Sequence, residues 1–377
     1  MTGVARSEVF LEQLWLTDFR SYASAEVSFD RGVTALLGAN GEGKTSVLEA
    51  VAYLATLQSF RGAPAEAMVR LGAPRATVRA EGTSNDRRLL IEAEITPSGR
   101  GRVQVNRQRL ARARDLLGAI RVTVFSPEDL ALVKGGPAER RRYLDDVLVS
   151  IHPRHDALRL DLDRILRQRN ALLRQAAGRL TPEIEITLDV WDAKLVEVGE
   201  ALGAARAALV ERLGPRVAEA YGQVASQPAT VSARYEAAWQ AEGLAATVRA
   251  ARSEELRRGV SLVGPHRDDL VLAIRGLPAR THASQGEQRS LALALRLGAH
   301  AEVMSAVGDA PVLLLDDVFS ELDLDRSEAL LTHLPAAQTV LTSASGLPPG
   351  ARPDRVLYLR GGRISGSPPA PESSARS

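Results

Sequence analysis

Short apolar bursts open the chain. Val9-Phe10-Leu11, Leu14-Trp15-Leu16, Val27-Ser28-Phe29 and Val33-Thr34-Ala35-Leu36-Leu37 read as strands. Residues 44–57 carry a helical pattern. Further strand-like runs at Ala76–Ala80, Arg88–Ile95 and Gly101–Asn106, separated by turn residues such as Thr96-Pro97-Ser98-Gly99, predict an antiparallel sheet. Another short strand, Arg121–Phe125, ends at Ser126-Pro127. From Pro137 to about Leu256 the texture changes, and Leu, Ala, Arg and Glu recur at helical spacing, as in Leu158, Leu162, Ile165, Leu166 and Arg169. Breakers at Pro153, Gly178, Pro182 and Gly214-Pro215 predict roughly four to six helices rather than one long coiled coil. The mixed pattern then returns. Leu270–Ile274 reads as a strand, Ser284–Ser305 as a helix, Pro311–Leu315 as a buried strand, Leu322–Leu334 as a helix, and Thr339–Thr342 and Arg355–Leu359 as strands. The layout is α/β: a first mixed segment (1–136), a helical insertion (137–256), a second mixed segment (257–365), and a Ser/Pro/Ala-rich tail (366–377) expected to be disordered.

Composition narrows the function classes. Lys and Arg total 48 against 46 Asp and Glu, a net charge of +2 over 377 residues, which excludes a polybasic or histone-like binder. Only three of the basic residues are lysines, at 44, 134 and 194; the other 45 are arginine, a bias that a GC-rich genome accounts for. Cysteine is absent, so disulfides, thiolate metal sites and cysteine nucleophiles are excluded. No long uncharged apolar stretch spans a membrane, and Glu8 and Glu12 interrupt the one apolar segment near the N-terminus. A cytoplasmic protein is expected.

Gly38-Ala39-Asn40-Gly41-Glu42-Gly43-Lys44-Thr45, followed by Ser46, fits G-x-x-x-x-G-K-[ST] between a predicted strand and a predicted helix. Glycines let backbone N–H groups turn inward around phosphate oxygens, and the helix N-terminus adds partial positive charge. Lys44 is placed to reach the β- and γ-phosphates of ATP, and Thr45 to offer its hydroxyl to Mg²⁺. One of the three lysines thus occupies the position that needs a compact ammonium. Far along the chain, 272 positions after Lys44, the strand Pro311–Leu315 ends in Asp316-Asp317. Asp316 is the candidate support for Mg²⁺ and Asp317 the candidate for polarising an attacking water.

Two further segments fix the class. Ser284-Gln285-Gly286-Glu287-Gln288-Arg289 opens a predicted helix and resembles the Ser-Gly-Gly-Gln signature of ABC-type ATPases; Ser320-Glu321-Leu322-Asp323 resembles their D-loop. A capped helix, with Ser284 as cap and Glu287 completing the box, describes the same residues and is compatible with that reading. Within the class the chain resembles the RecF family. The likeness rests on Phe19-Arg20-Ser21-Tyr22, the phosphate loop, Phe125-Ser126-Pro127-Glu128-Asp129-Leu130, Gly135-Gly136-Pro137 with Arg140-Arg141-Arg142-Tyr143-Leu144-Asp145, Gly264-Pro265-His266-Arg267-Asp268-Asp269, the signature and the Asp316 strand.

The resemblance implies an ABC-type P-loop ATPase head with an antiparallel β subdomain and an inserted α-helical arm. It implies ATP and Mg²⁺ as ligands and a homodimer formed on ATP, in which Ser284, Gln285, Gly286 and Glu287 of one subunit complete the site of the other. It implies slow, DNA-stimulated hydrolysis, sequence-independent binding of duplex or gapped DNA, and action with RecO and RecR to load RecA during recombinational repair. Asp317 stands where ABC ATPases usually carry Glu, and its shorter side chain predicts slow turnover. The Q-loop position stays open between Ser126-Pro127-Glu128-Asp129 and Gln58, and Ser343-Ala344-Ser345 supplies no switch histidine. Two other classes fit parts of the pattern: a transporter-type ABC subunit, which needs a membrane partner, and an SMC-like structural DNA tether.

Residues 100–142 hold 11 basic side chains against four acids, a local excess in a chain of net charge +2. Arg107, Arg109, Arg112, Arg114, Arg140 and Arg141 are the candidates for contacting the DNA backbone. An alternative is that Arg140-Arg141-Arg142 pair across a dimer interface or with the helical arm. His266 reads as part of a structured turn entering the Leu270 strand.

Overall fold

The structure is a computed structural model describing residues 9–84, 87–98 and 101–367. Of the tail expected to be disordered (366–377), residues 368–377 lie outside the described residues, as does Arg100. In chain order, β1 (Phe10–Phe19), β2 (Tyr22–Ser28) and β3 (Val33–Leu37) precede α1 (Lys44–Thr56) and a single turn, α2 (Ala65–Met68). Next come β4 (Ala76–Ser84), β5 (Arg87–Ile95), β6 (Val103–Val105), β7 (Gln108–Arg109) and β8 (Val122–Phe125). The helices α3 (Leu130–Lys134), α4 (Pro137–Ile151), α5 (His155–Ala176) and α6 (Pro182–Val224) follow. Then β9 (Val231–Glu236), α7 (Leu244–Arg258), β10 (Asp269–Ile274), β11 (Leu277–Pro278), α8 (Ala279–His282) and α9 (Gln285–Val307). The chain ends with β12 (Val312–Leu315), α10 (Leu324–His333), β13 (Thr339–Ser343), β14 (Arg355–Arg360) and β15 (Arg363–Ser365).

Two compact units emerge. The first holds the chain up to Asp129, residues 223–226 and the chain from Val303 onward. It contains two six-stranded sheets. One is antiparallel, in the order β2-β1-β4-β5-β6-β7. The other, β15-β14-β3-β13-β12-β8, is parallel except at the β15 edge. Parallel strands covered on both faces must be apolar along their length, and all four residues of β12 are buried. Helix α1 is apolar around most of its circumference: Val47, Leu48, Ala50, Val51, Ala52 and Leu54 are each at most 1% exposed. A helix of that kind can only be enclosed, and here it contributes to one core with Leu14, Leu16, Phe19, Val78 and Ile91 of the antiparallel sheet and Leu36, Leu314 and Val340 of the parallel one. The two apolar bursts at 9–11 and 14–16 belong to a single strand, β1, rather than two. The register shifts between Leu11 and Gln13, so the polar Glu12-Gln13 pair is absorbed in a bulge.

The second unit comprises 130–222 and 227–302. It differs from the sequence division in taking in the segment 257–302. β10 pairs with β9 over six residues, and Asp269 at the start of β10 holds Arg140 of α4 through both carboxylate oxygens at 2.8 Å. Strand β9 falls inside the stretch expected to be wholly helical; Val231-Ser232-Ala233-Arg234-Tyr235-Glu236 alternates buried and exposed positions in strand fashion. The Gly214-Pro215 breaker also fails to break: α6 runs 43 residues with Pro215 inside it. Burial of Leu209, Leu213, Val217 and Tyr221, each at most 1% exposed, outweighs the one hydrogen bond that proline removes.

Arginine does structural work in this unit. Arg169, fully buried, donates to Asp192 at 2.7 Å, Glu255 at 2.6 Å and Ser261 at 2.8 Å. Arg206 holds Asp145 through two 2.8 Å bonds and the Pro265 carbonyl through a third. The planar guanidinium fork suits such sites better than an ammonium would.

Candidate nucleotide-binding site

The phosphate loop leaves β3 and enters α1 as the sequence requires. Gly41 and Gly43 adopt φ of 87° and 93°, a region open to glycine. Gly43 also lacks room for a side chain: a Cβ there would lie 2.6 Å from the Tyr22 hydroxyl. A Cβ on Gly38 would lie 2.5 Å from the Leu359 carbonyl oxygen. The first turn of α1 has neither an acidic residue nor a side-chain cap. Among the described residues no side chain caps it, so its first-turn N–H groups and the positive end of its dipole suit an anion.

Lys44 is 6% exposed, and its Nζ donates to the Gly38 and Ala39 carbonyls of its own loop at 2.6 and 2.8 Å. Burial pushes its pKa down, opposed by the nearby Asp317, Asp316 and Glu42 carboxylates. At the end of β12, Oδ1 of Asp316 accepts from the Thr45 hydroxyl at 2.8 Å and the Thr342 hydroxyl at 2.9 Å. Burial raises the Asp316 pKa, and those two hydrogen bonds oppose the rise. Thr342 in turn accepts from the Asp317 N–H at 2.9 Å. Asp317 is held in a left-handed conformation, φ 48°. Its Oδ1 is buried without a hydrogen-bond partner among the described residues. A buried carboxylate oxygen left unsatisfied is costly, and this one lines the same cavity as Lys44 and Thr45.

That cavity, about 810 Å³, is lined by Asn40, Gly41, Gly43, Lys44, Thr45, Ser46 and Asp317 on the loop side. Across it stand Arg20, Arg61, Arg70 and the segment around Leu71, whose side chain is 97% exposed. Sequence reasoning gave neither Thr342 nor Arg61 a role in the site. The signal for Thr342 is a hydroxyl at the end of a fully buried strand, which must find a partner. Arg20 is fixed by a bidentate pair with Glu49, 2.6 and 2.5 Å, and by the Ala67 carbonyl at 2.7 Å. Gln58, one of the two Q-loop candidates, is exposed and is not among the lining residues.

The residues present fit Mg²⁺. A hydroxyl and a carboxylate, Thr45 and Asp316, already meet at hydrogen-bond distance. Among the described residues no group of three or more His, Asp or Glu could hold a metal by itself. Mg²⁺ is commonly held this way, by one or two protein oxygens with phosphate oxygens and water completing the shell.

The signature segment lies in the second unit. Ser284 N–H donates to Glu287 Oε2 at 2.8 Å and Glu287 N–H to Ser284 Oγ at 3.3 Å, a reciprocal cap on α9. Gln285 and Gly286 form the first turn between them. Gln288, 5% exposed, donates Nε2 to the Ala279 and Arg280 carbonyls at 3.1 Å and fixes the approach to the helix.

The candidate DNA arginines divide. Arg107, Arg109, Arg112 and Arg114 are exposed, Arg107 and Arg109 on the β6–β7 hairpin at the sheet edge. Arg140 is not available for phosphate. It is 7% exposed and committed to Asp269 and the Gly135 carbonyl, the latter at 2.9 Å. Arg141 is half-buried and donates to the Asp268 carbonyl at 2.8 Å. Their place in a basic run concealed that α4 turns this face toward β10.

The family described as RecF/RecN/SMC N terminal domain matches residues 10–343. A DNA replication and repair protein RecF from Frankia alni is 47% identical over 353 residues, covering 89% of this chain and 93% of that protein. One from Streptomyces avermitilis is 44% identical over 346 residues, covering 88% and 92%. The chain belongs to the RecF family. The solved structure of the recombination mediator protein RecF-ATP in the RecFOR pathway superposes with a TM-score of 0.89 at 28% identity, covering 98% of this chain and 100% of that one. An Smc head domain from Pyrococcus furiosus, 17% identical with a TM-score of 0.55, shares the fold. The ABC-type ATPase head with an antiparallel sheet and a helical arm, expected from the sequence, is thus the architecture of this RecF-family chain. No helix among its described residues is long and apolar enough to cross a membrane.

Proposed function

We propose that this RecF-family chain is a slow, DNA-stimulated ATPase that works as a switch in recombinational DNA repair. ATP draws two copies together on gapped or duplex DNA in the cytoplasm, where the dimer helps RecO and RecR load RecA. The observation that carries the reading is the unpaired Asp317 Oδ1, buried in a cavity beside Lys44 and the Thr45–Asp316–Thr342 cluster.

In this reading Lys44 exchanges its two loop carbonyls for β- and γ-phosphate oxygens, and the uncapped first turn of α1 receives the remaining phosphate charge. Thr45 and Asp316 would hold Mg²⁺, which when bound would offset the charge developing on the phosphates. Asp317 Oδ1 accepts a hydrogen bond from the attacking water and orients its oxygen toward the γ-phosphorus. The water oxygen bonds to the γ-phosphorus as the bond from that phosphorus to the β–γ bridging oxygen breaks; the water's proton is taken up at the carboxylate or a phosphate oxygen, and ADP and inorganic phosphate leave. Thr342 fixes Asp316 by its hydroxyl hydrogen and the Asp317 backbone by its oxygen, so one side chain sets both acids. Ser284 of a second copy supplies the last contact to the γ-phosphate.

Sedimentation with ATP, ADP or no nucleotide, with and without gapped DNA, tests the switch. A dimer with ATP alone, strengthened by DNA, is expected. A transporter-type subunit gives ATPase activity indifferent to DNA, and a structural tether gives DNA binding indifferent to nucleotide.

For DNA the exposed Arg107 and Arg109 are the contacts we assign. Arg107→Ala with Arg109→Ala is expected to lower affinity equally for all sequences and to reduce the slope of log K against log salt by about 0.9 per lost contact. Unchanged affinity and slope would remove these residues from the interface.

A further inference from the structure

The Glu287 side chain that caps α9 is held by a residue outside the signature. Arg275 Nη2 pairs with Glu287 Oε1, while Glu287 Oε2 receives the Ser284 N–H at 2.8 Å. The carboxylate is thus shared between the cap and one arginine. That arginine sits on an unusual backbone. Ile274 and Leu277 pair across a two-residue turn, Arg275-Gly276, in which both residues have positive φ, 53° and 75°. Such a turn favours Asn, Asp or Gly at its first position, and an arginine there is strained. The Arg275 N–H donates to the Thr230 carbonyl at 2.8 Å, which fixes the turn on β9's approach.

The charges explain the use of that strain. The signature helix must present its N-terminal N–H groups to a phosphate, yet Glu287 places a carboxylate in the same first turn. Carboxylate and polyphosphate repel at short range. Arg275 supplies the opposite charge on the carboxylate's outer oxygen and holds the side chain against the Ser284 N–H. The pair is partly exposed, 53% for Arg275 and 20% for Glu287, so it adds little to folding stability. Gln288 fixes the entry to α9 independently.

We propose that Arg275 is a positioning residue that neutralises Glu287 and so admits the γ-phosphate of a second copy's ATP to the N-terminus of α9. The proposal rests on the ATP-driven dimer described above. It assigns Arg275 no contact with nucleotide; its effect runs through the Glu287 charge.

The test is ATP-dependent sedimentation equilibrium of five full-length proteins: wild type, Arg275→Ala, Arg275→Lys, Glu287→Gln and Arg275→Ala with Glu287→Gln. Nucleotide affinity of the dilute protomer and melting temperature are measured in parallel. Arg275→Ala is expected to raise the dimer dissociation constant in ATP about tenfold, the scale of one uncompensated charge at an interface. Protomer ATP affinity and melting temperature stay at wild-type values, and Arg275→Lys restores most of the dimer. In the Glu287→Gln background, where no charge needs neutralising, the effect of Arg275→Ala falls below about twofold, as a coupled pair requires. Equal loss in both backgrounds, or no loss in either, overturns the proposal. A wild-type chain that stays monomeric in ATP overturns the functional reading first, and the proposal with it.

Discussion

Asp317→Asn is expected to bind ATP, dimerise and then stop. The substitution preserves size, the backbone N–H bond to Thr342 and the left-handed conformation, which Asn tolerates as well as Asp. What it removes is a carboxylate able to take or steer a proton. A positioned general base contributes about 10²- to 10⁴-fold, so phosphate release is expected to fall by at least about a hundredfold. In the proposed dimer, assembly uses Lys44, the uncapped first turn of α1 and the signature segment, none of which the substitution touches. If dissolution of the proposed dimer waits on hydrolysis, the ATP dimer is expected to outlive the wild-type dimer by a comparable factor. Time-resolved phosphate release and sedimentation after a single addition of ATP measure both quantities. Turnover within threefold of wild type would show that Asp317 is not the residue facing the attacking water. The unpaired Oδ1 would then need another explanation.

The sequence carried the site further than the fold around it, for a physical reason. A phosphate loop is a local object: eight consecutive residues specify a turn, a helix N-terminus and a lysine, with little help from the rest of the chain. The Asp316-Asp317 pair was readable because it ends a wholly apolar strand in a chain that also carries a phosphate loop. Thr342 was not readable in the same way. Its role depends on β13 lying between β3 and β12, a matter of sheet order that no local pattern encodes. The basic run at 140–142 misled for the converse reason. Helical spacing sends adjacent arginines to different faces, and it is the packing of α4 against β10, 129 residues on, that brings Asp269 within reach of Arg140. Pro215 shows tertiary burial overriding a local breaker, and β9 a strand hidden in helix-rich composition. In the first unit the antiparallel runs were legible because alternation is a short-range signal.

Lys44→Met and Ser284→Arg are expected to abolish ATP-induced dimerisation by different routes, and the difference is the informative part. Lys44→Met removes the only ammonium among the residues lining the cavity. It leaves Asp316 and Asp317 beside incoming phosphate without a positive charge that interacts with both of them. Losing one partner of a buried charge pair costs about 2–5 kcal/mol, so the protomer itself should lose ATP affinity by about thirtyfold or more, and the dimer goes with it. Ser284→Arg acts on the second unit and leaves the phosphate loop intact. It deletes the hydroxyl that receives the Glu287 N–H, and places a long side chain over the first-turn N–H groups of α9. The lost cap alone costs about 1 kcal/mol, too little to unfold a 23-residue helix, so the variant should melt near wild type. It should also bind ATP as a protomer with wild-type affinity. Mixing the two variants sharpens the outcome. A dimer of Lys44→Met with Ser284→Arg pairs an intact phosphate loop from one copy with an intact signature from the other. If each site is built from both copies, the mixture recovers one site of two and a measurable fraction of ATP-dependent dimer. If each site is complete within one copy, mixing recovers nothing.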